Sequence, residues 1–181
     1  MASDLDVSGA WRETVPVAEA TRGAVERKLQ ADELARARIA KLLDLNALKV
    51  LDARLTVKPW LDGVQIDGSW TATVTQTCGV TLDLFDSDLS GHISVRAVPE
   101  GSAALAVNDE REMELDPEAD DPPDLLTGAD IDLGAYVVED LSLAIDPFPR
   151  KPDVEFEAPK PSGELSPFAV LAKLKGHDPD A

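Results

Sequence analysis

A chain of 181 residues, 44% of them apolar, can bury a core of its own; this excludes wholesale disorder and makes one domain the default. A formal net charge of −18 disfavours a broad basic face for phosphate backbones, and a lone cysteine excludes both an internal disulfide and a multi-cysteine zinc site. No apolar run approaches the roughly 20 residues of a membrane span, and MASDLDVSGAW has neither the basic start nor the apolar block of a signal peptide, so a cytoplasmic protein is expected.

The first pattern in chain order is an alternation of Val25, Arg27 and Leu29 with Glu26, Lys28 and Gln30, which predicts a short strand. Asp32 can cap a helix running to about Leu43, with Leu34, Ala35, Ile39 and Leu42 on its buried side. Leu51, Ala53, Leu55 and Val57 then alternate with polar residues. The join Trp60-Leu61-Asp62-Gly63 carries the Asp-Gly signal of a hairpin turn. From Val64 to Leu84 the even positions are largely apolar and the odd ones polar, so one face is packed and the other wet. That run is too long for one strand, and a break is expected near Cys78-Gly79. Asp86-Ser87-Asp88 is read as a turn into a third strand through Leu89, Gly91, Ile93, Val95 and Ala97, ended by Pro99-Glu100-Gly101.

Residues 108–132 hold Arg111 alone against 11 acids. Such a block is either a solvated loop without a partner or an interaction segment. A helix of Leu133–Ile145 follows, with Val137, Val138, Leu141, Ala144 and Ile145 along one stripe, and Asp146-Pro147-Phe148-Pro149 forbids its continuation. Pro147–Pro161 looks like an extended linker. The last predicted helix has Ser166 as its cap, Pro167 at its first turn, Phe168, Leu171 and Leu174 on one side, and Gly176 at its end. The predicted fold is therefore α+β: an antiparallel meander flanked by helices, with an open sheet and a partial barrel both compatible with the periodicity. It spans one domain, residues 1–146, followed by a linker and short helix over 147–181.

No group of residues calls for bond-breaking chemistry. Cys78 lies on the apolar register with no nearby His or basic residue to activate it, so a buried structural thiol is the stronger reading. His92 faces outward and His177 lies in a polar tail; neither forms a metal site or a Cys-His dyad. Asp116, Asp120 and Asp121 lack calcium-loop spacing, and the chain has no phosphate-cradling glycine loop, nucleophile elbow or HExxH. A non-enzymatic protein without cofactor, metal or small-molecule substrate is expected. The candidate partner-binding residues are Asp109, Glu110, Glu112, Glu114, Asp116, Asp120 and Asp121 of the acidic block, Arg150-Lys151, and Phe168 and Leu171 of the last helix. Ordinary solvated loop, linker and docked helix are the plain alternatives for each.

Two separated blocks together resemble the YceD family of large ribosomal RNA subunit accumulation proteins. One is Gln76-Thr77-Cys78-Gly79-Val80-Thr81-Leu82. The other runs from Ile131-Asp132-Leu133-Gly134-Ala135 through Asp146-Pro147-Phe148-Pro149-Arg150-Lys151-Pro152. The acidic tract with Asp121-Pro122-Pro123, and Ser166 to Leu174, are similar to its alphaproteobacterial branch. Many members carry Cys-x-x-Cys at the first block; here Thr81 holds the second position, so no metal or redox role for that pair transfers. The resemblance implies a bacterial cytoplasmic protein, non-enzymatic, needed for normal levels of large-subunit ribosomal RNA. With the acidity, it leads to an expected partner: a basic ribosomal protein or assembly factor of the large subunit, with ribosomal RNA contacted indirectly. The alternative is a direct binding module for unpaired ribosomal RNA, built on Trp60, Arg54, Lys58 and Lys49.

Overall fold

The computed structural model describes residues 9–105 and 122–156. Two compact units divide the chain, residues 1–151 and 152–181, and the elements from Thr14 to Ala144 all belong to the first. In chain order they are β1 (Thr14–Pro16), α1 (Val17–Ala20), β2 (Val25–Gln30), α2 (Glu33–Leu42), β3 (Ala47–Trp60), β4 (Gly63–Thr77), β5 (Leu84–Pro99), β6 (Asp124–Leu126), β7 (Asp130–Asp132) and α3 (Leu133–Ala144). The main sheet has the order β2-β3-β4-β5-β6, antiparallel except for the β5–β6 pair, and it is open rather than closed into a barrel. β1 and β7 form a separate two-stranded ribbon. The fold is α+β, as its alternating and helical patterns predict.

The sheet register follows the alternation. Ala53 lies opposite Trp70 and Trp70 opposite Gly91, while Val57, Ile66 and Val95 form another cross-strand row. These inward residues join Ile39, Leu133, Val137 and Leu141 in one apolar cluster. Each fully buried large side chain contributes roughly 1.5–3 kcal/mol, so this cluster outweighs any single polar contact. Two-layer packing results, with the helices on one face and the other face wet.

Local chemistry fixes the helices. Asp32 caps α2 by accepting from the Ala35 N–H at 2.7 Å. The phase this sets buries Ala35 and Ile39 but leaves Leu34 70% exposed, against the expectation that it packs inward. Asp132 caps α3, accepting from Gly134 N at 3.1 Å, Ala135 N at 3.3 Å and Glu13 N at 3.2 Å. Because it reaches Glu13 as well, the same carboxylate ties the ribbon to the helix. A side chain at Gly134 would place Cβ 2.3 Å from the Trp11 carbonyl, so glycine there permits the close approach. α3 ends at Ala144, which is exposed rather than on the buried stripe.

Two of the expected chain reversals are found and one is not. Asp86 and Asp88 lie within β5: Thr75 and Thr73 of β4 donate to them at 2.7 and 2.8 Å, which satisfies the carboxylates in the ladder and removes their reason to turn. The reversal into β5 falls at Cys78–Asp83, where the break in the long alternating run is expected, and Leu84 begins β5. At the other end of β4 the two-residue loop is Leu61-Asp62, with Leu61 at φ +49. Gly63 is already paired in the strand; a Cβ there would lie 2.1 Å from the Ala97 carbonyl, so its glycine serves packing rather than turn geometry. Among the described residues no helix is long and apolar enough to cross a membrane.

Candidate interaction site

Trp70 is 1% exposed, and its indole N–H donates to Asp140 Oδ2 at 2.6 Å. A buried indole needs such an acceptor. Gly91 makes room for the pair, since a Cβ there would stand 2.5 Å from both partners. This bond seats α3 on the sheet and so determines where the chain emerges after Ala144.

The emerging segment returns to the β4–β5 turn. Gln76 Nε2 donates to the Asp146 carbonyl at 3.1 Å, and Gly79 N donates to the Pro149 carbonyl at 2.9 Å. Lys151 N donates to Cys78 Sγ at 3.4 Å. Asp146 Oδ1 accepts from Phe148 N at 2.8 Å, holding the bend between the prolines. The two sequence blocks, some 70 residues apart, are thus one structure. The stretch after Asp146, expected as the start of a linker, is pinned through Lys151 because its backbone groups find partners in the turn.

Cys78 is fully covered yet lies outside the main apolar cluster, under a thin turn. Its backbone closes the turn: Cys78 N donates to Asp83 O at 2.8 Å and Leu82 N to Cys78 O at 2.9 Å. Its sulfur collects N–H groups, including Val80 N at 3.4 Å. The Lys151 N–H, then the hydroxyl and N–H of Thr81, favour the thiolate strongly enough to overcome burial, with Val80 adding to them; the thiol falls to about 6. Sequence reasoning looked for a basic side chain near the sulfur and missed this effect, because the donors are backbone groups. Thr81 supplies hydrogen bonds to the sulfur from both its hydroxyl and its N–H.

Around this joint the surface is unusually apolar for so acidic a chain. Leu82, at φ +63, is 77% exposed, Leu84 60% and Phe148 80%, with Arg150 and Lys151 exposed after them. Apolar side chains beside cations, on a backbone held from both sides, suit recognition of a partner. Among the described residues no group of three or more His, Cys, Asp or Glu could hold a metal ion.

Two cations of the first hairpin, Lys58 and Lys49, are engaged at home, and so is Arg96 of β5. Lys58 Nζ lies 2.7 Å from Asp67 and Lys49 Nζ 2.5 Å from Asp86, while Arg96 stands over the Trp60 ring, 5.2 Å from its centroid. Burial pulls the Asp67 carboxyl upward, but hydrogen bonds from Lys58, Ser94 and Gln65 hold it below its ordinary value. Asp86 is lowered by Lys49 and then Thr75. Arg54 is exposed, as is His92. Tyr136 donates to Asp124 at 3.1 Å; burial first, then the charge of Asp124, raises its phenol above the ordinary value. Asp109, Glu110, Glu112, Glu114, Asp116, Asp120 and Asp121, together with Phe168, Leu171 and His177, lie outside the described residues.

No curated protein and no solved structure matches this chain. Residues 66–175, more than half of it and inclusive of both halves of the Cys78 joint, match the family described as large ribosomal RNA subunit accumulation protein YceD, and the chain belongs to that family.

Proposed function

We propose that the chain supports accumulation of large-subunit ribosomal RNA and ribosome biogenesis as a non-enzymatic cytoplasmic factor, by binding a basic ribosomal protein or assembly factor of the large subunit. Family membership supports the link to large-subunit RNA. The choice of partner rests on one observation: a chain of net charge −18 has its hairpin cations Lys58 and Lys49 already paired with carboxylates. A phosphate backbone approaching that face meets little free positive charge, whereas a cationic protein gains attraction and a faster encounter. Exposed Leu82 and Phe148 at the Cys78 joint supply the apolar contact that charge alone does not.

Direct binding of unpaired ribosomal RNA has one observation in its favour. Lys28 and Arg54 are cross-strand neighbours on the wet face, and neither has an acidic partner among the described residues. Two cations beside Ser69 are a small footprint for RNA.

The test is a tagged pull-down from the native bacterium, with and without nuclease, reading proteins and RNA. Nuclease-resistant recovery of a basic large-subunit protein, weakened by salt, is the expected result. Recovery of ribosomal RNA precursor that survives removal of ribosomal proteins would overturn it.

A further inference from the structure

β5 is an edge strand for most of its length. β6 pairs only with Ala97–Pro99, and among the described residues no strand pairs with the outer side of Leu84–Val95. Edges of that length are normally blunted by lysine, proline or a bulge, because a row of unpaired N–H and C=O groups invites another strand. Leu84–Val95 contains no lysine and no proline, and its ladder to β4 runs without a register shift.

Beside this edge, at the level of His92–Val95, α3 forms the wall of a groove of about 580 Å³. Glu139 and Asp140 of α3 and Asp124 of β6 place carboxylates along the groove, Leu143, 82% exposed, adds an apolar rim, and Arg96, which stands over Trp60, lines it from β5. Asp124 accepts from Tyr136 and Asp140 from Trp70, while the Glu139 carboxylate has no partner among the described residues. From Pro122 to Pro149 there is not one Lys or Arg. A backbone template thus lies beside a wall whose carboxylates, from Asp124, Glu139 and Asp140, outnumber the one cation of the groove among the described residues, Arg96.

We propose that this edge accepts an extended segment of a cationic protein as an added strand, its lysines or arginines at alternate positions facing Asp124 and Glu139. Backbone pairing supplies affinity in such an arrangement, and the side chains of every second residue supply selectivity. A second copy of this chain is disfavoured as occupant, because edge-to-edge pairing brings −18 against −18. The inference rests on the reading that the partner is basic, and it adds where and how that partner docks.

The probe is a synthetic peptide alternating lysine with valine, titrated onto the full chain at low salt, with hydrogen exchange of the β5 amides as readout. Exchange over Leu84–Val95 is expected to slow on binding, most at His92–Val95, and Glu139→Lys to weaken binding roughly fivefold. A peptide with prolines in place of the valines keeps the charge but loses half of its N–H donors and is held at φ of about −65°, so it pairs poorly; it is expected to bind weakly and leave exchange nearly unchanged. Binding of the lysine–valine peptide with unchanged β5 exchange overturns the edge as the docking site and leaves the basic partner standing. Protection that grows with protein concentration without peptide overturns the occupant in favour of a second copy. Failure of the peptide to bind, when the pull-down does return a basic protein, overturns the edge alone; failure of both overturns the two readings together.

Discussion

The two ends of β4 solve the same problem in different ways. At Leu61-Asp62 the chain reverses within two residues, held by strand pairing on both sides, by Gly63 pressed against Ala97 and by Ser102 Oγ donating to Asp62 at 2.8 Å. At Cys78–Asp83 the reversal takes six residues and borrows its missing partners from Asp146, Pro149 and Lys151. A two-residue turn closed mainly by the strand ladder keeps its shape when α3 shifts, while one completed by the backbone after α3 makes its shape conditional on that helix. Both turns expose a leucine, Leu61 and Leu82, but only the second adds Leu84, Phe148 and the exposed cations Arg150 and Lys151.

The comparison can be broken most severely at its local end. Gly63→Ala forces a Cβ to 2.1 Å from the Ala97 carbonyl, and a loss of about 3 kcal/mol or more is expected in chemical denaturation. A smaller loss would mean the β4–β5 pair gives way easily there. Asp140→Ala leaves the buried Trp70 N–H without its acceptor and unseats the helix that feeds the distant end; about 2 kcal/mol is expected. Its amide proton signals near Cys78 should shift as well, although the substitution does not touch the turn. Gln76→Ala removes one hydrogen bond between turn and tail at a cost of about 1 kcal/mol, and hydrogen exchange should quicken at Gly79 and Lys151 but not at Leu61.

Acidity sharpens the contrast further. The Cys78 thiol is lowered in the folded state to about 6 from an ordinary value near 8.5. A lowered value means the thiolate stabilises the fold: the increment is complete above the ordinary thiol value, shrinks as pH falls, and is gone below about 6. The melting-temperature gap between the native chain and Cys78→Ala should therefore be wider near pH 9 than near pH 5.5. An equal gap at both would show that the sulfur contributes by packing alone. The smallest stability effect is expected at Phe148→Ala, within about 0.5 kcal/mol because the side chain is exposed, while recovery of the basic partner in a pull-down falls.

What was legible in the sequence follows the same division. The alternation through Val64–Val74 and the stripes Ala35/Ile39 and Val137/Leu141 specified strand faces and helix faces, because burial acts at fixed periods along the chain. Asp32 was readable as a cap for a similar reason: its partner is three residues away. Asp86 and Asp88 misled because an acidic pair signals a turn unless cross-strand Thr75, Thr73 and Lys49 satisfy it, and such partners have no local signature. The β1–β7 ribbon stayed hidden: Val15 pairs with Ile131 across most of the chain, and three-residue strands have no period to detect. The Cys78 joint was half legible. Its two blocks were recognisable separately, but their union rests on backbone N–H groups, which every residue but proline possesses and no sequence pattern distinguishes.

That union also has an order in time. Lys151, whose N–H completes the sulfur's environment, is joined to the growing chain 73 residues after Cys78. Chains grow from the N-terminus, so β3, β4 and β5 can pair while the turn between the last two still lacks its lid. Synthesis that stops before Asp146 leaves the sheet without the joint. The surface with Leu82 and Phe148 is therefore the last part of the first unit to be finished, and a nascent chain cannot display it until nearly all of that unit has emerged.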